Sequence, residues 1–483
     1  MRRIYRIIAI LVLPALFVNG CQRSDPDSDV PTPVSTTSAS LVAGDLVPRA
    51  LHKVSVPQSE RSGVLSGSDP TPTSNPAQFA LEPHRVVSKN LVRLIPAGSP
   101  PEIRILPIDS PEQARVVVSV AVAPERGQRV LKGIHLRSFS DGAILDKSRD
   151  LAEDDEVIRT GLGGQPNLAD RAGLGDEMRD LLRHEPGFAL LAMPARPLSI
   201  DQPFKPGKVL IELPPEAALA GALVFVDQPS STIELGAVAG SIHHSTGEQA
   251  KIVADLSDAG TPIEGASVIA WLEKPGNRRD PDSTLPLRGI GGGKHVVEVP
   301  LTSTSATDIG LWTVHLIARG TTPDGREYER TSEVSFSYSV PHARMTTVYT
   351  PVVVRGSDRL VDEVVFDVEV ESIVVDRLGL RGTLVVNDNG VERSIATAQV
   401  GFDASEGQSR VSLRFGSGAM FLAHQDGPYH LRDLVLVSHG NATVQHRLGR
   451  GLDLRTPRIP AKALRPVETL SPAIEESLNL GTL

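Results

Sequence analysis

The chain has 483 residues, one cysteine and a net charge of −9, and its 42 glycines and 38 prolines make up about 17% of it. One cysteine excludes a disulfide scaffold and a Cys-ligated zinc or iron–sulfur site, because each needs several thiols. The acidic balance argues against a nucleic-acid partner, and a mean hydropathy of −0.07 argues against a multi-pass membrane protein.

The N-terminal residues have the pattern of a secretory signal peptide spanning 1–20. Three arginines within the first six residues form a positive region, and residues 7–18 form an apolar region of about a dozen residues. This apolar run suits a signal peptide and is too short for a transmembrane helix of about 20 residues.

The only cysteine follows this signal directly. Val18-Asn19-Gly20-Cys21 resembles a bacterial lipobox. The resemblance implies cleavage after Gly20 and diacylation of Cys21, and Gln22 resembles the residue that sorts such proteins to the outer membrane. The alternative is an ordinary secretory signal with an incidental cysteine, but the position of the single cysteine favours lipid attachment. Two or three acyl chains anchor a protein stably.

Residues 21–79 are rich in Ser, Thr, Pro and Asp. Such a segment buries too little apolar surface to offset the loss of chain entropy on folding. We therefore predict a disordered tether, with a short apolar interruption at 41–56 that docks on another part of the protein.

A β-rich domain is predicted for 80–238. Its short runs of Val, Ile and Leu are bounded by Pro, Gly or Asp, which is typical of strands. An acidic and glycine-rich insertion covers 150–186, and the helical candidate of the chain is 168–183.

A better-patterned β-sandwich is predicted for 239–340, because its strands recur every ten to twenty residues. The run from Asp308 to Val314 resembles the corner motif of immunoglobulin folds, with Trp312 at the aromatic position and Val314 at the cysteine position. Trp271 is predicted to lie inside the opposite sheet, so that both tryptophans have core roles.

A C-terminal sandwich is predicted for 341–455. Residues 364–371 alternate between an apolar and a mainly acidic face, as in an antiparallel strand with one wet side. Asn387-Asp388-Asn389-Gly390 lies between two β runs and predicts a hairpin. The tail, 456–483, has no clear period and is predicted to be mobile or to lie along a domain.

These two sandwiches carry a resemblance. Residues 251–338 resemble an Ig-like domain of large bacterial surface proteins, and 426–436, which begin Asp-Gly-Pro-Tyr, are the most specific part of the sandwich that follows. Together they resemble the "choice-of-anchor X" type of surface protein. The resemblance implies an extracytoplasmic β-rich module and supplies no catalytic residue.

Motifs for catalysis or metal binding are incomplete. The adjacent His243 and His244 face opposite sides of a strand and cannot bind one metal from one face. Residues 289–295 (GIGGGKH) fail as a phosphate loop and fit a glycine-rich hairpin. Asp280 with Asp282, and residues 387–390, lack the ligand count of a calcium loop. We predict no catalytic residue, no metal and no cofactor.

The sequence thus predicts an all-β protein of tandem Ig-like β-sandwiches behind a lipoprotein signal and a disordered tether. We expect a non-enzymatic binding or structural module of the bacterial cell envelope. It is anchored in the outer membrane through Cys21, binds a protein or envelope ligand, and does not bind nucleic acid. Two alternatives stay open: a hydrolase with its site in the first domain, and a carbohydrate-binding module.

Overall fold

The structure is a computed structural model, and it describes residues 31–42, 44–56, 67–70, 84–122, 124–146, 195–200, 204–276, 278–450 and 452–466. Six β-sheets in these residues enclose three hydrophobic cores. The predicted all-β class is confirmed.

The strands are short in the first half of the chain and reach 14 residues in the second half. In chain order they are β1 (Pro33–Ser35), β2 (Gly67–Pro70), β3 (His84–Ser88), β4 (Leu91–Ile95), β5 (Ile105–Ile108), β6 (Arg115–Val120), β7 (His135–Ser138), β8 (Ala195–Ser199), β9 (Gly207–Glu212), β10 (Ala222–Asp227), β11 (Ile233–Ala239), β12 (His243–Ser245), β13 (Gln249–Asp258), β14 (Thr261–Pro262), β15 (Ser267–Lys274), β16 (Arg278–Leu285), β17 (Arg288–Gly291), β18 (Lys294–Pro300), β19 (Gly310–Thr321), β20 (Glu327–Ser339), β21 (Ala343–Tyr349), β22 (Val352–Arg355), β23 (Val361–Ser372), β24 (Asp376–Asp388), β25 (Val391–Ala404), β26 (Gly407–Gly416), β27 (Tyr429–Ser438) and β28 (Thr443–Leu448).

The domains predicted for 80–238, 239–340 and 341–455 are called the first, second and third domains below. The second domain is a sandwich of two sheets. One has the order β17-β18-β13-β11-β3, with the short β14 also paired to β13, and the other has the order β12-β20-β19-β15-β16. Alternate residues of each strand fill the core between the sheets, which includes Trp312, Phe336 and Tyr338. The strand spacing predicted for this region is confirmed, and so is the glycine-rich hairpin, which joins β17 to β18.

The first domain is inserted into the second. β3 and β11 are antiparallel neighbours in one sheet, and the chain between them builds a smaller core from the sheets β4-β10-β6-β8 and β5-β9-β7. The first domain therefore begins after and ends before the bounds predicted for it, 80–238, because β3 at its start and β11 at its end belong to the second domain. The reason is that Leu235 and Ala237 of β11 point into the core of the second domain.

The third domain packs the sheet β2-β25-β24-β27-β28 against a sheet in which β23 pairs with β21, β22 and β26, and β1 pairs with β21. The alternation predicted for 364–371 is confirmed in β23, where Val364, Phe366, Val368 and Val370 are buried. Fully burying such a side chain contributes about 2 kcal/mol. The predicted hairpin is also confirmed, with Asn389 and Gly390 at positive φ between β24 and β25.

Residues 31–42 and 44–56, which we call the strap, are ordered, unlike the disordered tether predicted for 21–79, whereas the docking predicted for the apolar run 41–56 is confirmed. β1 adds to the edge of β21, and Leu46 forms a bridge to Arg447 of β28. Leu46 is 1% exposed and Val54 is 9% exposed. Main-chain hydrogen bonds to strand edges do not depend on side-chain composition, which explains why a polar segment can become ordered here.

Of the two alternatives predicted for the tail from 456 onward, mobile or lying along a domain, the structure shows the second over 456–466. Ile459 and Leu464 are buried in the third core, and Arg465 forms ion pairs with Asp358 and Asp362. Two apolar side chains in an otherwise aperiodic segment are enough to fix it. Residues 467–483 lie outside the described residues.

In the part of the chain that the structure describes, three α-helices accompany the strands: α1 (Pro124–Lys132), α2 (Pro215–Ala220) and α3 (Ser417–Leu422). None of the three was predicted, because each is at most nine residues long. Val130, Leu131 and, just beyond the helix, Ile134 bury the inner side of α1 against the first core. The helical candidate at 168–183 lies outside the described residues.

Among the helices of the described residues, none is both long and apolar enough to cross a membrane.

Candidate functional site: a groove between the first and second domains

The predicted lipid-attachment residue Cys21 and the insertion 150–186 both lie outside the described residues. The structure therefore brings neither of them to a site, and the attachment at Cys21 stays a prediction.

A groove of about 730 Å³ lies where the first domain meets the second. On one side, the first domain contributes β4 and β5, which are the edge strands of its two sheets, together with the 3-10 turn Pro101–Arg104 and Phe139. On the other side, the second domain contributes the facing ends of β19 and β20. The groove exists because the hairpin of one domain approaches the open edges of the other.

Arg93 links the walls of the groove. Its guanidinium donates to the carbonyl oxygens of Ile103 and Ile105, at 3.2 and 2.5 Å, and to the carboxylate of Glu329. Arg319 donates from Nε to the same carboxylate at 2.8 Å. Because Arg93, Arg319 and Glu329 are paired with one another, they fix the shape of the groove.

The rim of the groove is apolar. Leu94, Ile103 and Phe139 line it and are exposed by 42%, 37% and 54%, respectively. Lys208 and Glu327 form an ion pair at 3.0 Å beside them. Clustered exposed apolar side chains bordered by charged groups are typical of surfaces that bind another protein.

A buried ion pair lies at the junction of the two domains. Arg330 of β20 and Asp109, which follows β5, are fully buried and 2.5 Å apart. Ser231 Oγ accepts a hydrogen bond from Arg330 and donates one to Asp109, and Gln228 Oε1 accepts from the Asp109 amide at 3.0 Å. Removing one partner of such a pair is strongly destabilising, so this cluster joins the two domains firmly.

A second polar cluster lies at the edge of the first domain. His135 Nδ1 is 3.3 Å from Asp146 Oδ2, and Asp146 Oδ1 accepts from the Leu136 amide at 2.7 Å. Arg196 donates to three carbonyl oxygens at the end of α1. Burial lowers the pKa of Arg196. A carboxylate that orients an imidazole is one part of many hydrolytic sites, although here it also fixes the chain on either side of 147–194.

The two tryptophans have different environments. Trp312 is 3% exposed, as predicted, and its indole Nε1 donates to the Asp308 carbonyl at 2.6 Å. Trp271 lies on the neighbouring strand of the same sheet, not on the opposite sheet, and it is half-buried on the outer face. There it stacks on His315 at 5.1 Å. The core role predicted for Trp271 is wrong, because Ala270 and Leu272 on either side of it take the inward positions.

The remaining candidate residues serve the fold. His244 contacts Glu248 and the ring of Phe336 inside the second domain, whereas burial and then Arg447 of the third domain lower the pKa of His243. The described residues contain no group of three metal-ligating side chains. The side chains of Asp280 and Asp282 lie outside the description.

The turn at Gly427-Pro428-Tyr429 holds a packed ring. Tyr429 is fully buried, and its hydroxyl donates to the Gln425 carbonyl at 2.8 Å. Burial raises the pKa of the Tyr429 hydroxyl well above its usual range. The ring therefore closes the end of the sandwich.

The sequence analysis did not single out the groove residues. A signal was present in β20, where Glu329 and Arg330 interrupt the apolar alternation of a strand. Adjacent charges in a buried strand need partners, and here each finds its partner in the inserted domain.

No family model and no curated protein matches this chain. Among solved structures, it is similar to a DUF4785 family protein from Legionella pneumophila, with 15% identity and a TM-score of 0.58, over 85% of this chain and 99% of that one. Salmonella alpha-2-macroglobulin is 12% identical with a TM-score of 0.21, and the match spans 24% of it. At these identities, the likeness to the Legionella protein shows a shared all-β fold.

Proposed function

We propose that this chain is a lipid-anchored protein of the bacterial cell envelope that binds another protein in the groove between its first and second domains, without catalysing a reaction. The anchor is Cys21, and the membrane is the outer membrane. The observation that carries the binding proposal is the exposed apolar rim formed by Leu94, Ile103 and Phe139.

The distribution of charge supports a binding role. Arg93, Arg319 and Glu329 are held in mutual contacts, and Arg330 with Asp109 stabilises the junction below them. Charged groups with such contacts fix a surface in one shape, which lowers the entropic cost of binding. The apolar rim then supplies the area that a partner would cover.

The proposed anchor has its own test. Mass spectrometry of the N-terminal peptide from native membranes should find a diacylated Cys21, and Cys21→Ser should abolish the modification. A mature protein whose N-terminus lies elsewhere, released in soluble form, would contradict the anchor without affecting the groove.

The binding proposal is tested by affinity purification of the tagged protein from its own envelope. The double variant Ile103→Ser, Phe139→Ser should bind the partner with an affinity at least tenfold lower. The reason is that each apolar contact at the centre of an interface contributes about 1 kcal/mol or more. Leu219→Ser is the matched control, since Leu219 is an apolar residue of the same domain that is 74% exposed. A partner that the double variant retains, or an enzymatic activity that a single substitution abolishes, would contradict the proposal.

One observation favours carbohydrate binding as a second candidate. Trp271 is half-buried on the outer face of its sheet, beside Glu273 and Glu333, which both contact His315. Indole rings on outer sheet faces can contact sugar rings. Glycan-array binding that Trp271→Ala abolishes and Phe139→Ser preserves would favour this candidate over the groove.

A further inference from the structure

The strap fixes the chain to the third domain at a point close to Cys21. Among the described residues, Thr32 is the first with a hydrogen bond to the third domain: its amide donates to Thr350 Oγ1 at 2.8 Å, and its carbonyl accepts from the Thr350 amide at 2.9 Å. Beyond it, β1 pairs with β21, and Thr36, which is 5% exposed, donates to the Met345 carbonyl.

The strap is held along its length. The amides of Leu46 and Arg447 each donate to the carbonyl of the other, at 3.0 and 2.8 Å, and the Gly449 amide donates to Asp45. The His52 amide donates to the Pro341 carbonyl at 2.8 Å, where the second domain meets the third. Val54 then enters the core of the second domain.

These contacts limit the distance between Cys21 and the third domain. Ten residues lie between Cys21 and Thr32, so eleven Cα-to-Cα steps join them. An extended chain covers about 3.4 Å per residue, so Thr32 lies at most about 37 Å from an anchored Cys21. A flexible chain of this length has a root-mean-square span of about 18 Å.

We infer that the third domain is the membrane-proximal domain, because the strap fixes it within about 37 Å of the lipid surface. This inference rests on the proposed anchor at Cys21. The groove belongs to the first and second domains, and the strap contacts the third domain before it reaches the second. The partner would accordingly bind to the domains that lie beyond the membrane-proximal third domain.

The position of an inserted spacer tests this inference. The protein from Cys21 onward, made without its signal, is coupled through its only thiol to a maleimide lipid in a supported phosphatidylcholine bilayer. Neutron reflectometry then measures the gap between the bilayer and the protein layer. A 20-residue Gly/Ser spacer between 30 and 31 should widen the gap from about 18 to about 31 Å.

The same spacer between 60 and 61 is the matched control, because it follows the strap and leaves the chain before Thr32 unchanged. It should not change the gap. Equal widening by the two spacers, or a gap above about 37 Å without any spacer, would overturn the inference.

Coupling through a synthetic lipid keeps this test separate from the natural anchor. A protein that is not acylated in its own cell contradicts the proposed function at Cys21. The spacer result still decides whether the strap holds the third domain close to the anchored residue.

Discussion

The first and third domains are joined to the second by different means. The first domain is inserted between two strands and is held by buried and half-buried charges, of which Arg330 and Asp109 are the most deeply placed. The third domain follows the second in the chain, contacts it directly through β20 and β28, and is also held by the strap, whose contacts are mainly main-chain hydrogen bonds and two buried apolar side chains. At the first junction, the ion pairs lie beside an open groove, whereas at the third domain the added strand β1 covers the edge of β21.

The largest expected effect is on the third domain. A chain that begins at residue 57 lacks the strap, and it should lose about 5 kcal/mol from the third domain, because the buried Leu46, the partly buried Val34 and Val47, and several hydrogen bonds are removed. Hydrogen exchange should rise in β21 and β28 and stay unchanged in β6 and β10. A chain that begins at residue 31 is the control. Equal protection of β21 in both chains would show that the strap does not stabilise this domain.

A smaller loss of folding stability is expected at the junction of the first and second domains. Arg330→Met leaves the Asp109 carboxylate buried without its cation and should cost about 4 kcal/mol in urea unfolding. The double variant Arg330→Met, Asp109→Asn should recover part of this loss, because no buried charge is left. Loss of stability that is the same in the single and the double variant would contradict the role of the ion pair.

Acid should weaken the third domain through His446. Burial, and then Arg344, lower the pKa of His446 from 6.5 to about 3. Because the folded pKa lies below the unfolded one, the unfolded chain binds the proton more tightly, so stability is lost as the pH falls from about 6.5 towards 3. The loss attributable to this group between pH 7 and 4 is about 3 kcal/mol.

The control for this pH dependence keeps the hydrogen bond of the imidazole. His446 Nδ1 accepts from the Met345 amide at 2.9 Å. His446→Asn can still accept there but cannot take up a proton, so its stability should fall less steeply with acid. Identical pH profiles of the two proteins in chemical denaturation would exclude His446 as the cause.

The smallest effect is expected at the corner of the third domain. Tyr429→Phe removes the hydrogen bond to the Gln425 carbonyl and should cost about 1 kcal/mol. Tyr349→Phe is the matched control, because its hydroxyl bonds the partly exposed Glu369 and should matter less. Equal losses of stability in the two variants would show that the buried hydrogen bond of Tyr429 contributes no more than the partly exposed one of Tyr349.

The sequence predicts local features of this fold well. Strands with clear alternation, such as β23, and the Asn-Gly hairpin after β24 are encoded in neighbouring residues. The Trp312 and Tyr429 rings are also predictable, because each bonds a carbonyl only four residues earlier.

Features that join distant residues escaped prediction. The bridge from Leu46 to Arg447 and the pair of Asp109 with Arg330 each depend on topology rather than on local pattern. The groove follows from the same kind of contact, since its walls come from β4 and from the hairpin of β19 and β20. Composition described residues 31–40 of the strap as a tether, because composition does not record which strand edges need a partner.

Site-specific photo-crosslinking in the cells that produce the protein tests most directly whether the groove is the binding surface. Phe139 in the groove and Val391 on the hairpin of the third domain are both 54% exposed, so a photoreactive residue at either site is equally accessible. We predict one discrete crosslinked partner from position 139 and none from position 391. The same crosslinks from both positions, or a partner captured only from position 391, would contradict a binding surface between the first and second domains.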